Sequence, residues 1–215
     1  MPRESTEAKR QRILDAAEDL FAERGYFGVS VRDITAHLNM RLAAVNYHFE
    51  SKENLFSEVI MRRIEPLSKA RMERLQALDP DPRDLEAGIT AMVRAFVEPM
   101  VEFCLGPDPG WRNYCRLIAQ IAAQQYWSQS GLLVEYDRVA SEIIKNFKVL
   151  SPDASDFQCQ VAFQMVLANT LYLMSDNARL DRLSDGRFRS ADFEALVEPY
   201  VTYVSAGVIA VLRDG

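Results

Sequence analysis

The stretch "RILDAAEDLFAERGYFGVSVRDITAHLNMRLAAVNYHFESKENLF", Arg12 to Phe56, decides the fold. Apolar residues recur in it at spacings of three and four, which is the period of an amphipathic helix. With the residues just before it, the stretch divides into a helix over about Thr6 to Arg24, a short helix over about Val31 to Leu38, and a third over about Leu42 to Tyr47. The pattern therefore predicts a head of three helices.

Capping and turn residues separate these helices. Gly25 is placed to end the first helix in a left-handed conformation. Ser30 caps the second helix, with Asp33 three residues later as its capping-box partner. Asn39 tolerates the left-handed backbone of a tight turn, and Ser51 caps a long fourth helix. The second and third helices thus have the spacing of a helix-turn-helix, whose second helix enters the major groove of DNA.

The rest of the chain keeps the helical period, and strand-like alternation is weak throughout. Breaks rich in Gly and Pro at 79–82 and 106–110 help to divide it. The predicted helices cover about 51–77, 82–105, 111–127, 132–148, 153–177 and 191–212. The sequence thus predicts an all-α protein, with an N-terminal three-helix helix-turn-helix DNA-binding domain, residues 1–52, and a larger C-terminal helical body, residues 53–215.

Charge is unevenly distributed along the chain. The formal net charge is -6, which is not that of a protein that is basic throughout. Residues 1–63 hold ten Lys and Arg against ten Asp and Glu, whereas residues 64–215 hold fifteen against twenty-one. The excess of acid therefore lies outside the segment that is predicted to meet DNA.

Cysteine usage and hydropathy indicate a cytoplasmic protein. The three cysteines, Cys104, Cys115 and Cys159, are odd in number and widely spaced, which disfavours a disulfide framework or a zinc site and indicates reduced thiols. The charge-poor stretches are interrupted by polar residues or too short for a membrane span, and the first residues lack the apolar core of a signal peptide. We expect neither a membrane partner nor a bound metal.

The residues predicted to contact DNA lie between the second helix and the start of the fourth. Asn46 has the amide that pairs with N6 and N7 of adenine, and the small side chain of Ala43 allows close approach to the bases. Tyr47 and His48 end the helix with hydrogen-bonding tips suited to phosphate oxygens, and Lys52 adds a cation. The full predicted set is Ser30, Arg32, Arg41, Ala43, Asn46, Tyr47, His48 and Lys52. An alternative, in which the Tyr-His-Phe run is plain core packing, stays open on spacing alone.

Over Arg12 to Phe56 the sequence resembles the tetracycline-repressor (TetR) family of transcription regulators. The family's Y-H-F-x-x-K-x-x-L segment falls on Tyr47, His48, Phe49, Lys52 and Leu55. The threonine that usually caps helix two falls on Ser30. Arg41 stands where the family has a capping serine, Ala43 where it has a glycine and Asn46 where a tyrosine is common. These departures concern the operator sequence and not the fold.

The resemblance implies a homodimeric, usually repressing, regulator that binds a palindromic double-stranded DNA operator. It also implies a C-terminal domain for dimerisation and for a small, mainly apolar effector that releases the DNA. The recognition segment resembles that of members that respond to fatty acids or acyl thioesters, so a long apolar or aromatic acid is the expected effector class.

Two other functions are weighed against this reading. One is a regulator without a small-molecule effector, whose body only dimerises or binds a protein. The other is a helical-bundle enzyme, but the chain has only two histidines, His37 and His48, and no Glu-x-x-His pair or activated nucleophile. We therefore expect no catalytic residue and no cofactor.

The predicted ligand pocket is a set of aromatic and methionine side chains in the body. Its members are Phe96, Met100, Phe103, Trp111, Tyr114, Ile118, Tyr126, Met165 and Tyr172. Arg112 and Arg116, one helical turn apart, are candidate partners for an anionic head group, with solvent-exposed helix charges as the alternative.

The predicted dimer interface lies on helix 153–177 and on the last helix. Each is apolar on two faces and so needs one neighbour inside the domain and one outside, unless a single monomeric core absorbs both faces. We predict an intermolecular four-helix bundle. Its contact residues are Ala162, Val166, Thr170, Leu173, Val204, Gly207, Val208 and Val211.

Overall fold

The computed structural model describes residues 5–122, 124 and 134–213, and every regular element in these ranges is a helix. The helices are α1 (Thr6–Arg24), α2 (Val31–His37), α3 (Leu42–His48), α4 (Lys52–Gln76), α5 (Leu85–Leu105), α6 (Gly110–Ala122), α7 (Val134–Leu150), α8 (Asp156–Met174), α9 (Arg179–Leu183) and α10 (Phe193–Arg213). The all-α prediction is confirmed, and the short α9 is a helix that the sequence pattern did not predict. Tyr126, a predicted ligand residue, lies outside the described residues.

The first two helices end and begin where their local sequence requires. The N–H of Gly25 donates to the carbonyl of Phe21 over 2.8 Å, and its φ of 71° is a conformation that glycine adopts without strain. Ser30 accepts from the backbone N–H of Asp33, while the Asp33 carboxylate accepts from the backbone N–H of Ser30 over 2.7 Å. This capping box satisfies backbone donors that the helix itself leaves unpaired.

The turn between α2 and α3 uses the left-handed conformation that was predicted for Asn39, whose φ is 52°. The backbone N–H of Met40 then donates to the carbonyl of Thr35 over 2.9 Å and closes the turn. Arg41 occupies the N-cap of α3 without a capping hydrogen bond from its side chain. The third helix is therefore positioned by the turn and by packing rather than by a cap.

An aromatic cluster holds the head together. The ring centroid of Phe56 lies 5.1 Å from that of Phe21 and 4.8 Å from that of Tyr26, both in edge-on geometry. Val45 of α3 and Phe49 just after it are buried in the same core. Because Phe56 belongs to α4, the first turns of this long helix are part of the head.

Helix α4 joins the head to the body. It packs against α1 at one end and against α5 and α7 further on, and it continues through Pro66 without a break. Helix α10 packs on α5 and α8, and α6 packs on α1 and α8. The buried side chains of head and body form one contiguous core.

Helix α10 is long and apolar enough to cross a membrane by length and composition. Its inward face is buried against α5 and α8. A helix packed on a folded domain passes the same test of length and composition.

The structure reverses the two faces that were assigned to α8. Ala162, Val166 and Thr170, predicted to meet a second protomer, are buried within the chain, whereas Met165 and Tyr172, predicted to line the pocket, are 49% and 60% exposed. The helix is apolar all round, so its periodicity carries no information about which face is inward.

The same correction applies in part to the other predicted interface residues. Val204 and Val208 of α10 are buried against the chain's own α5 and α8. Leu173 and Val211 are half-buried, and Gly207 is exposed. Of the predicted interface, these last three residues are the most exposed, and Gly207 and Val211 line a surface groove together with Val204 and Val208.

Two of the cysteines meet in the fold although they are far apart in sequence. The sulfur atoms of Cys104 on α5 and Cys115 on α6 lie 3.3 Å apart, and both thiols are buried and free. The packing of α5 against α6 brings them together, which their sequence spacing did not indicate.

Candidate functional site

One face of α3 is presented to solvent. Ala43, Asn46 and Tyr47 are exposed, and the Tyr47 side chain is 78% exposed. They lie three and four residues apart, so they share a helix face, while Val45 on the opposite face is 1% exposed. The helix is thus anchored by one side and free on the side that the sequence predicted for base contacts.

Lys52 lies beside this face, at the start of α4. Its ammonium group is 3.9 Å from the centre of the Tyr26 ring, and the Tyr26 hydroxyl donates to the carboxylate of Glu53 over 2.8 Å. Burial lowers the pKa of Lys52 from its usual value, and the nearby carboxylates of Glu53 and Asp33 act in the opposite direction. The aromatic ring holds the cation at the helix end, next to the exposed surface of α3.

The Tyr-His-Phe run divides between core and surface. Phe49 is 3% exposed and packs in the head, with the guanidinium of Arg10 5.4 Å above its ring. His48 is half-buried, with its ring centroid 5.1 Å from that of Tyr47. Core packing therefore explains Phe49 but not the exposed Tyr47.

The other predicted DNA contacts are on the same head. Ser30, Arg32 and Arg41 are all exposed, and the Ser30 hydroxyl also donates to Asp33 over 2.6 Å. That hydrogen bond lowers the pKa of the Asp33 carboxyl, which stays ionised in the capping box. The structure therefore leaves all eight predicted residues exposed or half-buried around α2, α3 and the start of α4.

Family profiles match both parts of the chain. The profile described as "Bacterial regulatory proteins, tetR family" matches residues 13–59, and "Tetracyclin repressor-like, C-terminal domain" matches residues 94–207, more than half of the chain. The chain belongs to the TetR family. It is accordingly a transcriptional regulator with an N-terminal helix-turn-helix domain.

Curated relatives match this TetR-family chain over about a quarter of its length. The biofilm operon icaADBC negative transcriptional regulator IcaR of Staphylococcus aureus is 35% identical over 51 residues, and that of Staphylococcus epidermidis is 33% identical over the same length. The match covers 24% of this chain and about a quarter of each relative, 27% and 28%.

Solved structures share the whole fold at low sequence identity. AibR, in complex with isovaleryl coenzyme A and operator DNA, has a TM-score of 0.66 at 17% identity, covering 93% of this chain and 97% of its own. The ketosteroid regulator KstR2 of Mycobacterium tuberculosis has a TM-score of 0.63 at 16% identity, covering 92% and 93%. The fatty acid degradation regulator FadR of Bacillus halodurans has a TM-score of 0.60 at 16% identity, covering 94% and 96%.

The body of this TetR-family regulator contains a small internal cavity of about 120 Å³. Phe96 and Ile118, both predicted ligand residues, line it. Arg71, Tyr136 and Thr170 line it as well, and sequence reasoning assigned none of these to a pocket. The lining of the cavity therefore combines apolar side chains with a cation, hydroxyl groups and the carboxylate of Asp137.

The remaining predicted pocket residues lie elsewhere. Met100, Trp111 and Tyr114 are buried in the core, and Phe103 stacks on Trp111 with ring centroids 4.1 Å apart. These side chains pack α5 against α6 and are not among the residues that line the cavity.

The two arginines proposed for an anionic head group are engaged at the surface of the body. Arg116 forms an ion pair with Asp176 at 2.7 Å, and Arg112 donates to the carbonyl of Ala191 over 2.8 Å. A different arginine, Arg71, reaches the cavity. Its signal in the sequence is a charged residue on the buried stripe of α4, which otherwise carries Ile60, Ile64, Leu67 and Leu75.

A buried ion-pair network, which we call the head–body network, connects the DNA-binding head to the body. Arg63 of α4 donates two hydrogen bonds to Glu18 of α1, at 2.8 and 2.9 Å, and forms an ion pair with Asp108 in the loop before α6. Arg62 also donates to Glu18 over 2.7 Å. Burial alone would lower the pKa of Arg63, but the hydrogen bonds to Glu18 and Asp108 outweigh it and raise the pKa above its usual value.

Proposed function

We propose that this chain is a cytoplasmic, ligand-responsive repressor that binds a palindromic operator as a homodimer and is released by a small, mainly apolar effector. The observation that carries the proposal is the exposed face of α3, where Asn46 and Tyr47 stand free beside Lys52 on a firmly packed head. The chain is a regulator, and the proposal assigns it no catalytic role.

Each exposed side chain of the head has a role in DNA recognition under this proposal. Asn46 reads a base edge, Ala43 lets the helix approach the groove, and Tyr47, His48 and Lys52 hold phosphates. The capped start of α2, with Ser30 and Arg32, crosses the sugar–phosphate backbone, and Arg41 adds a basic contact before α3.

An exposed apolar groove between α8 and α10 supports the homodimer. The groove has a volume of about 850 Å³ and includes Met165, Tyr203, Gly207 and Val211. Tyr203 on α10 is 71% exposed, and Phe157 and Tyr172 on α8 are 75% and 60% exposed. Monomeric proteins rarely leave so much contiguous apolar surface in water, and two copies of the α8–α10 pair would form a four-helix bundle. The two heads would then lie about 34 Å apart, or a multiple of it.

Effector response is proposed to act through α4. Arg71 lines the cavity, and Arg63, two turns earlier on the same helix, forms the head–body network. An effector that binds one position of α4 better than the other shifts the spacing of the two heads and weakens operator binding.

The first test is selection of a random duplex library by the purified protein, read by sequencing and titrated with salt. Enrichment of an inverted repeat supports a dimeric sequence reader. A monomer in solution that enriches no sequence even at low salt contradicts the proposal. If the protein is a dimer but enriches no sequence, the next step is to denature it and to search the extract by mass spectrometry for a retained effector.

Three head variants separate phosphate contacts from base reading. Tyr47→Ala and Lys52→Ala are expected to weaken binding about 5- to 100-fold on every duplex, and Lys52→Ala also to reduce the slope of log affinity against log salt by about one. Asn46→Ala is expected to relax preference at one base position, because it removes a base contact. Fluorescence anisotropy with the selected duplex and a scrambled one measures both effects.

Gln11→Ala, on the exposed side of α1, serves as the control and should match the unmodified protein on both duplexes. The assigned roles are wrong if all three variants lose affinity by the same factor on the selected and scrambled duplexes.

A further inference from the structure

The cavity contains a buried positive charge. Arg71 is 2% exposed, its Nε donates to the carbonyl of Phe96 over 2.7 Å, and its guanidinium lies 4.0 Å over the Phe96 ring. Burial lowers the pKa of Arg71 to about 10, so the group is still protonated at neutral pH. Its Nε thus has a protein acceptor, and Arg71 is one of the residues that line the cavity.

Arg71 has no counter-ion in the described part of the chain. The ionisable groups that act on it are the hydroxyls of Tyr136 and Tyr200 and the thiol of Cys115, all neutral at pH 7. Asp137 also lines the cavity, but it is exposed and is not one of these groups. The sequence between Ala122 and Val134 contains no Asp or Glu. An uncompensated buried charge is costly to a fold, so its retention here calls for a partner that the described residues do not supply.

A second polar group in the cavity is also unpartnered. The hydroxyl of Tyr136 is buried and has no hydrogen-bond partner among the described residues, whereas that of Thr170 is 2.5 Å from the hydroxyl of Tyr200. Burial raises the pKa of Tyr136 above its usual value, so this hydroxyl is a neutral donor at every physiological pH. The apolar part of the lining, which we call the apolar wall, includes Ile118 and Leu167.

We propose that this cavity binds a small monocarboxylate, whose carboxylate meets Arg71 and the Tyr136 hydroxyl and whose compact apolar body meets the apolar wall. A single carboxylate matches one guanidinium in charge and geometry. A phosphate dianion would bring a second charge for which the apolar wall offers no donor. This inference rests on the proposed function, in which the acid is the effector.

The size of the cavity restricts the apolar part of the ligand. A volume of about 120 Å³ is somewhat less than the engineered apolar cavity of about 150 Å³ that admits benzene. Benzoate and short branched-chain acids therefore match it in size, and a long unbranched fatty acid does not fit this volume.

The test compares benzoate with its neutral isostere benzamide, at equal pH and ionic strength, on the full-length protein. Benzoate at about ten times its dissociation constant is expected to raise the Tm by about 3 to 6 °C, and benzamide at the same concentration to raise it much less. Isothermal titration gives the affinity of each compound directly. This comparison needs no variant and so does not depend on a variant folding.

Two variants and a control then test which side chains bind the carboxylate. Arg71→Met removes the cation at similar side-chain length and is expected to abolish the benzoate shift, while Tyr136→Phe lowers benzoate affinity about 3- to 10-fold by the loss of one hydrogen bond. The matched control is Arg116→Met, because Arg116 is paired with Asp176 and does not line the cavity. It should keep the full benzoate response.

The inference is overturned if benzoate gives no Tm shift at about 10 mM, if benzamide shifts the Tm as much, or if Arg71→Met keeps the response. An equal shift by inorganic phosphate would show a general anion effect and would also overturn it. These readouts need no DNA. A monomeric protein that binds benzoate but selects no operator would refute the proposed function and leave this binding site standing. A dimer that selects an operator but does not bind benzoate would refute this site and leave the proposed function standing.

Discussion

Replacing Arg63 by alanine is expected to lower the free energy of unfolding by about 3 kcal/mol. The variant loses two hydrogen bonds to Glu18, the ion pair with Asp108 and the contact with the Trp111 ring, whose centre is 5.1 Å from the guanidinium. Removing one partner of a buried pair reduces the compensation of the other charge. Arg62 still donates to Glu18, which keeps the loss near the lower end of the usual range.

Urea denaturation at a fixed protein concentration measures this effect as a shift of the midpoint without a change of slope. The matched control is Arg74→Ala, on the same helix. Arg74 pairs with Glu98 and Glu102, but its side chain is 35% exposed, so its loss should cost about 1 kcal/mol or less. Equal effects of the two substitutions would show that the head–body network adds no stability through its burial.

A substitution at Gly110 would disturb the head–body network without removing any of its charges. A Cβ at this position would overlap the end of the Arg63 guanidinium and the Glu18 carboxylate. These ends are flexible in principle, but here each is held by the other in a buried pair. Gly110→Ala is therefore expected to destabilise the fold by about 1 to 3 kcal/mol, measured in the same urea series.

The head could be predicted from the sequence because its geometry depends on contacts between near neighbours. The capping box joins Ser30 and Asp33, which are three positions apart, and the left-handed turn at Asn39 follows from one side chain. Each of these interactions has a local signature that periodicity and residue type reveal.

The cavity could not be predicted in the same way. Its lining comes from α4, α5, α6, α7 and α8, and Arg71 meets Phe96 across 25 residues of sequence. Aromatic composition could identify core residues, but it could not distinguish Trp111, which packs α5 against α6, from Phe96, which borders a void. The available signal was Arg71 itself, a charged residue in the buried stripe of α4, because arginine is rarely fully buried unless it is paired.

The reversed faces of α8 have a related cause. Ala162 and Met165 belong to opposite sides of a helix that is apolar on both, and the packing of α6, α7 and α10 decides which side is covered. The exposed side, with Met165 and Tyr172, then continues across the groove to Gly207 of α10. The proposed dimer surface is therefore a product of the tertiary fold and not of the sequence pattern of one helix.

Gly207→Glu is expected to convert the proposed dimer into a folded monomer and to raise the dimer dissociation constant by at least about 100-fold. A Cβ at Gly207 would have no atom within 4 Å in the protomer, so the fold tolerates the side chain. Replacing a glycine inside a helix also raises the stability of the helix. In a symmetric interface each protomer would bring the new carboxylate to the apolar groove, where burial of the charge costs several kcal/mol.

Sedimentation at several protein concentrations measures the dissociation constant. Affinity for the selected operator should fall by a similar factor, since a single head reads one half-site. Ala195→Glu is the control, because Ala195 is exposed on the same helix but lies outside the groove. If Gly207→Glu dimerises with the dissociation constant of the unmodified protein, the interface lies away from the α8–α10 groove. The exposed Phe157, Tyr172 and Tyr203 would then need another partner, because an apolar surface of that size is unfavourable in water.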